Sequence, residues 1–204
     1  MNTSNSKANE KTGLFKVILV LVIWFTAASA AAISGIWGRL PRFAFPACVL
    51  AGIFIPFLYY LKNPGFQARL RAVPIHLLSL FHVWRFPAGL YFLQLGANGL
   101  LPATFAHNAG YGDVTVGLAS LVFIFHRPGK KAALAFQAIS MADFIGAVGT
   151  GLTFTVLKVP GMANIQNFPV ALIPGFGVGV TGALSLMTIH RLLRSSNPED
   201  SSKV

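Results

Sequence analysis

PIHLLSLFHVWRFPAGLYFLQLGANGLL, residues 74–101, is an apolar run interrupted by a single charge, Arg85. A helix rising 1.5 Å per residue needs about 20 apolar residues to cross roughly 30 Å of hydrocarbon, so this stretch is long enough to span a bilayer. Pro74 suits the first turn of a helix, and the internal Pro87 predicts a kink. A guanidinium near the middle of a bilayer costs about 3 kcal/mol, so Arg85 is expected to face protein and to find a partner there.

The same pattern recurs along the chain. Apolar segments are expected at 14–37, 43–61, 74–101, 110–126, 132–157 and 168–193, separated by breakers such as Gly38-Arg39-Leu40-Pro41, Asn63-Pro64-Gly65 and Arg127-Pro128-Gly129. Another early kink is expected at Pro174. The predicted fold is an all-α, polytopic transmembrane helical bundle of six spans, forming a single transmembrane domain over 14–194. Polar residues 1–13 and 195–204 read as disordered cytoplasmic tails. A second reading of the N-terminus exists, because a basic start, the apolar run Val17 to Phe25 and then Ala28-Ser29-Ala30 resemble a cleavable secretory signal. Cleavage would leave five spans. Apolar character continuing to Ile36 favours a retained helix.

Composition excludes an ordinary soluble domain: 54% of the 204 residues are hydrophobic and 10% charged, against about 25% charged in soluble chains. The net charge of +11 does not signal nucleic acid, because the basic residues sit in the gaps between apolar runs rather than along one helix face. With both termini placed in the cytoplasm, twelve of the sixteen basic residues fall on that side and three, Arg39, Arg42 and Lys158, on the other, leaving Arg85 in the middle of a span. That bias is the signature of the positive-inside rule. Cys48 is the only cysteine, which excludes a disulfide framework and a thiolate metal cluster.

Depth names the partner of Arg85. It lies 11 residues from Pro74, and Asp143 lies 11 residues from Ala132, so both sit about 16 Å from the cytoplasmic edge. An Arg85 to Asp143 pair is therefore expected, either as a buried ion pair fixing helix register or as part of a substrate, ion or proton site. His82 shares a face with Arg85 one turn away, and Ser140 shares one with Asp143. In the last segment Thr181 belongs to a stripe of small and polar residues, Pro174, Gly177, Thr181, Ser185 and Thr188. Such faces suit either close helix packing or a polar cavity. Residues 101–113 lack Lys and Arg and are too apolar for a free loop, which predicts a short interfacial or re-entrant turn, with Asn108 and Asp113 lining an outer entrance or capping the fourth helix. No cofactor is predicted. A bis-histidine haem or metal site through His82 and His190 is disfavoured, because the two lie at different depths.

His82-x-x-Arg85, Gly99-Leu100-Leu101-Pro102-x-x-Phe105-Ala106, Ala109-Gly110-x-Gly112-Asp113, Leu172-Ile173-Pro174 and His190 together resemble a family of small uncharacterised, hypothetical bacterial polytopic inner-membrane proteins, over roughly residues 74–193. The resemblance implies a multi-pass location in the bacterial inner membrane and brings no activity with it. No nucleotide loop, nucleophile elbow or zinc motif is visible, which points away from an enzyme. The expected function is a small transporter or ion-coupled permease with a midplane polar site, acting on a small molecule or ion. The alternatives are a membrane redox or haem-binding protein and a structural assembly subunit. Expected partners are the lipid bilayer and further copies of the chain, with no nucleic acid.

Overall fold

The structure is a computed structural model and describes residues 3–194, so the tail expected at 195–204 lies outside the described residues. Among the described residues there are eight α-helices: α1 (Thr3–Ile33), α2 (Ala44–Lys62), α3 (Pro64–Ala72), α4 (Ile75–Leu80), α5 (Arg85–Ala97), α6 (Ala103–Phe125), α7 (Lys130–Val156) and α8 (Gly179–Arg194). No strand occurs among the described residues. Among the described residues four helical stretches are long and apolar enough to cross a membrane, namely Phe15–Ile33, Ala44–Lys62, Lys130–Val156 and Ile173–Arg194. Their outer surface carries exposed side chains such as Phe15, Ile55 and Ile145, a covering suited to lipid and poorly suited to water.

Four boundaries differ from expectation. Helix α1 already begins at Thr3, inside the stretch read as a disordered tail, because a helix nucleated by an apolar run extends at one hydrogen bond per added residue. The connection after α2 folds as α3, with Asn63 Oδ1 accepting from the Phe66 amide at 2.9 Å and Pro64 in the first turn. The stretch 74–101 is not one kinked helix. It breaks at Phe81–Trp84, where amides reach back three residues (His82 to Ser79 at 3.1 Å, Val83 to Leu80 at 2.9 Å, Arg85 to His82 at 3.0 Å), and α5 starts afresh at Arg85. Pro87 then lies in the first turn of α5, where its missing amide deprives the helix of nothing. Lastly, the proposed turn at 101–113 is helix, since α6 starts at Ala103 with Pro102 before it.

A kink at Pro174 takes the form of a π-helical turn, Ile173–Val178, running directly into α8. Such a turn leaves carbonyls out of register, and Trp24 of α1 donates to the Gly175 carbonyl at 3.1 Å. The indole ring fits between Gly52 and Gly179, where an added Cβ would come within 2.7 Å and 2.6 Å of it.

Contacts define two ends. At one, Arg191 donates to the Leu70 and Val73 carbonyls at 2.9 and 2.7 Å, closing the exposed end of α3. At the other, Asn164 donates to the Leu100 carbonyl at 2.7 Å, near the 3-10 turns Ile36–Arg39 and Met162–Gln166. An apolar cluster including Tyr60, Leu70, Leu78 and Met187 fills the first end, and a larger one with Phe45, Phe92, Phe105 and Phe144 fills the second. Helices α5 and α6 pack backbone to backbone: a Cβ at Gly89 would stand 2.5 Å from the Gly110 carbonyl and 2.7 Å from the Val114 amide.

Candidate functional site

Arg85 is completely buried at the point where the broken helix resumes. Its Nε donates to Asp113 Oδ1 of α6 at 2.6 Å and its Nη1 to Ser140 Oγ of α7 at 2.8 Å. Nη2 donates to Asp143 Oδ2, also of α7. The Phe144 ring lies under the guanidinium carbon, 3.9 Å from its centroid, so one face of the cation is covered while its edge is hydrogen-bonded. Glycine makes this convergence possible. Close packing at Gly89 lets α6 carry Asp113 up to Arg85, and a Cβ on Gly112 would overlap the Asp143 carboxylate.

The network continues through the break between α4 and α5 and through α8. Ser140 Oγ lies 3.2 Å from His82 Nδ1, and His82 Nε2 lies 3.2 Å from Ser185 Oγ. One arrangement satisfies each atom: Arg85 donates to Ser140, Ser140 donates its proton to Nδ1, and the imidazole donates from Nε2 to Ser185. His82, Ser140 and Ser185 are all fully buried. Gln137 of α7 donates to Ser79 at 3.3 Å, and its Oε1 has no partner among the described residues.

One positive charge thus meets two carboxylates inside the bundle, with side chains only 6% and 15% exposed for Asp113 and Asp143. In their ionised forms the three groups sum to one excess negative charge. In a low-dielectric interior that excess favours binding of a proton or another cation.

Of the residues singled out from sequence, His82, Arg85, Ser140 and Asp143 are brought together. Asp113 belongs with them and does not cap α6, because that helix begins ten residues earlier. Asn108 is no cap either. It donates to Thr150 Oγ1 at 3.0 Å and ties α6 to α7 near the surface. Thr181 is buried but turned onto its own helix, donating to the Gly177 carbonyl at 2.7 Å. His190 lies apart, 3.2 Å from the Tyr60 hydroxyl, and the two nitrogens of His82 are both engaged by serines. Among the described residues no group of three or more His, Cys, Asp or Glu could hold a metal ion.

Ser185 was read only as part of the stripe that carries Thr181, and Gln137 and Ser79 were missed, although each of these two lies one turn from a residue that was found: Ser79 before His82, Gln137 before Ser140. No curated protein and no solved structure matches the chain. A family model does match, over residues 42–193, which takes in every helix of the polar network and leaves out α1, and the chain accordingly belongs to the family described as Domain of unknown function (DUF8737).

Proposed function

We propose that the protein is a small ion-coupled transporter of the bacterial inner membrane, crossing the bilayer six times with both termini in the cytoplasm. The four long apolar helices make four of the spans, and the broken α4–α5 passage and α6 make the other two. The twelve to three distribution of basic residues supports the orientation. The seat of Trp24 between α2 and α8 supports counting α1 as a permanent member of the bundle.

The observation that carries the functional reading is the unequal charge of the buried cluster, two carboxylates on one guanidinium. A balanced pair suffices to fix helix register, whereas the second carboxylate gives a place for a proton that comes and goes. Its position at a discontinuous helix is the arrangement by which membrane carriers expose polar backbone and side chains at mid-depth. The chain from Arg85 through Ser140 and His82 to Ser185 links the cluster to α8.

Proteoliposomes on a solid-supported membrane test this directly. A step in external pH is expected to give a protein-dependent transient current, reduced about tenfold in Asp113→Asn and Asp143→Asn. Wild-type currents in both variants would remove the cluster from any coupling role.

A further inference from the structure

A cavity with about 60 Å³ of water-accessible space opens beside the charged cluster. Its walls come from α2, α5, α6, α7 and the π-helical turn, and aromatic rings dominate them: Phe45, Phe92, Phe105 and Phe144. Asp113 is the only charged residue that lines it. Arg85 Nε reaches Asp113 through Oδ1. The cavity therefore combines an apolar lining with a single carboxylate.

We propose that this cavity seats a lipophilic cation, a molecule with an apolar body and one protonated amine, with the amine against Asp113 and the body among the phenyl rings. The inference rests on the ion-coupled reading above and names the substrate class for it. Three features favour this chemistry over a neutral apolar guest such as an acyl chain. An amine supplies the positive charge that the two-carboxylate cluster lacks. It also supplies N–H donors that a carboxylate accepts. Phenyl faces attract cations and apolar groups alike, so the walls serve both ends of such a ligand. An anionic substrate would meet the excess negative charge instead, and a polar sugar would leave its hydroxyls without partners along the apolar walls.

Competition between amine and proton gives the site a coupling chemistry. Both neutralise the same excess charge, so the cluster holds one or the other, which is the requirement for exchange of a cation against a proton.

Calorimetric titration of 4-phenylbutylamine into the protein in phosphatidylcholine nanodiscs, against empty discs, is the test. The amine is expected to bind saturably, one molecule per chain, with the neutral 4-phenylbutan-1-ol about tenfold weaker and Asp113→Asn weakening the amine by about tenfold. Gly151→Leu provides a variant outside the charged cluster: Gly151 lines the cavity, and a Cβ there would already lie 3.2 Å from Phe105 and 3.5 Å from Met162. That filling is expected to weaken the amine to a similar degree. If Asp113→Asn does not fold, the amine to alcohol ratio and Gly151→Leu decide. Equal affinity for amine and alcohol, unchanged binding in Gly151→Leu, or no saturable binding above empty discs overturns the proposal. Proton currents without amine binding leave the ion-coupled reading standing and remove this one, while amine binding without currents does the reverse.

Discussion

At the residue scale, Arg85 organises everything near it, and the three charges of the Arg85, Asp113 and Asp143 cluster predict an unusual pattern of mutational cost. Removing Arg85 by Arg85→Ala leaves two buried carboxylates facing each other with no counter-charge, a change that costs about 3–5 kcal/mol in comparable buried pairs. Asp143→Asn or Asp113→Asn alone leaves Arg85 one carboxylate and a neutral cluster, so each single variant is expected to cost no more than about 1 kcal/mol. The double variant strands the guanidinium, and its cost is expected to exceed the sum of the singles by about 2 kcal/mol. Thermal unfolding of the detergent-purified protein followed by tryptophan fluorescence measures all four. Simple additivity of the two Asn substitutions would mean that the carboxylates do not share Arg85. Two of the three charged residues of this cluster were legible in the sequence, because counting residues from the breaker clusters put Arg85 and Asp143 at equal depth. Asp113 was not, since Gly110-Tyr111-Gly112-Asp113 looks like a turn when read alone. Those glycines serve helix packing instead, and once α6 is taken to end at Phe125, Asp113 lies about 18 Å from that end, close to the depth of its partner.

At the scale of the elements, breakers separating the apolar runs located the helices well, while irregularities inside a run were misplaced. Pro87 drew the predicted kink, yet the chain breaks three to six residues earlier, at Phe81–Trp84, where no proline stands. Tertiary packing explains the difference: Trp84 closes over Gly177 of the π-helical turn, and His82 and Arg85 turn inward to polar partners that only the assembled bundle provides. A sequence pattern reports backbone preferences and is silent on such contacts. The two accounts of Pro87 make opposite predictions for Pro87→Ala. If the proline bent a continuous helix, its removal would straighten the helix and pull Arg85 from Asp113. Because Pro87 occupies the first turn of α5, the substitution is expected to change stability by less than about 1 kcal/mol and to leave the pH-step current intact. Thermal unfolding and the current, measured on one preparation, distinguish them.

At the scale of the whole molecule, the two ends of the bundle differ in chemistry as well as in packing. The end with α3 and the close of α8 holds Lys62, Arg69, Arg71, Arg191 and Arg194, and the end with the two 3-10 turns holds Arg39, Arg42 and Lys158. Such asymmetry orients a polytopic protein because basic loops resist translocation. The single cysteine makes the orientation measurable, since a Cys48→Ser background frees the chain for one reporter thiol at a time. With a membrane-impermeant maleimide applied to spheroplasts, Lys158→Cys is expected to label without lysis and Lys62→Cys only after it. The placement of α1 follows from the same experiment. Helix α1 lies outside the family match and contacts the bundle through Trp24, so an N-terminus removed at the Ala28-Ser29-Ala30 sequence would take that anchor with it and leave an open cleft between Gly52 and Gly179. Thr12→Cys is expected to behave as Lys62→Cys does, labelled after lysis and present in the mature chain. Labelling of Thr12→Cys in unlysed spheroplasts would overturn the six-span arrangement, and its loss from the mature chain would reduce the arrangement to five.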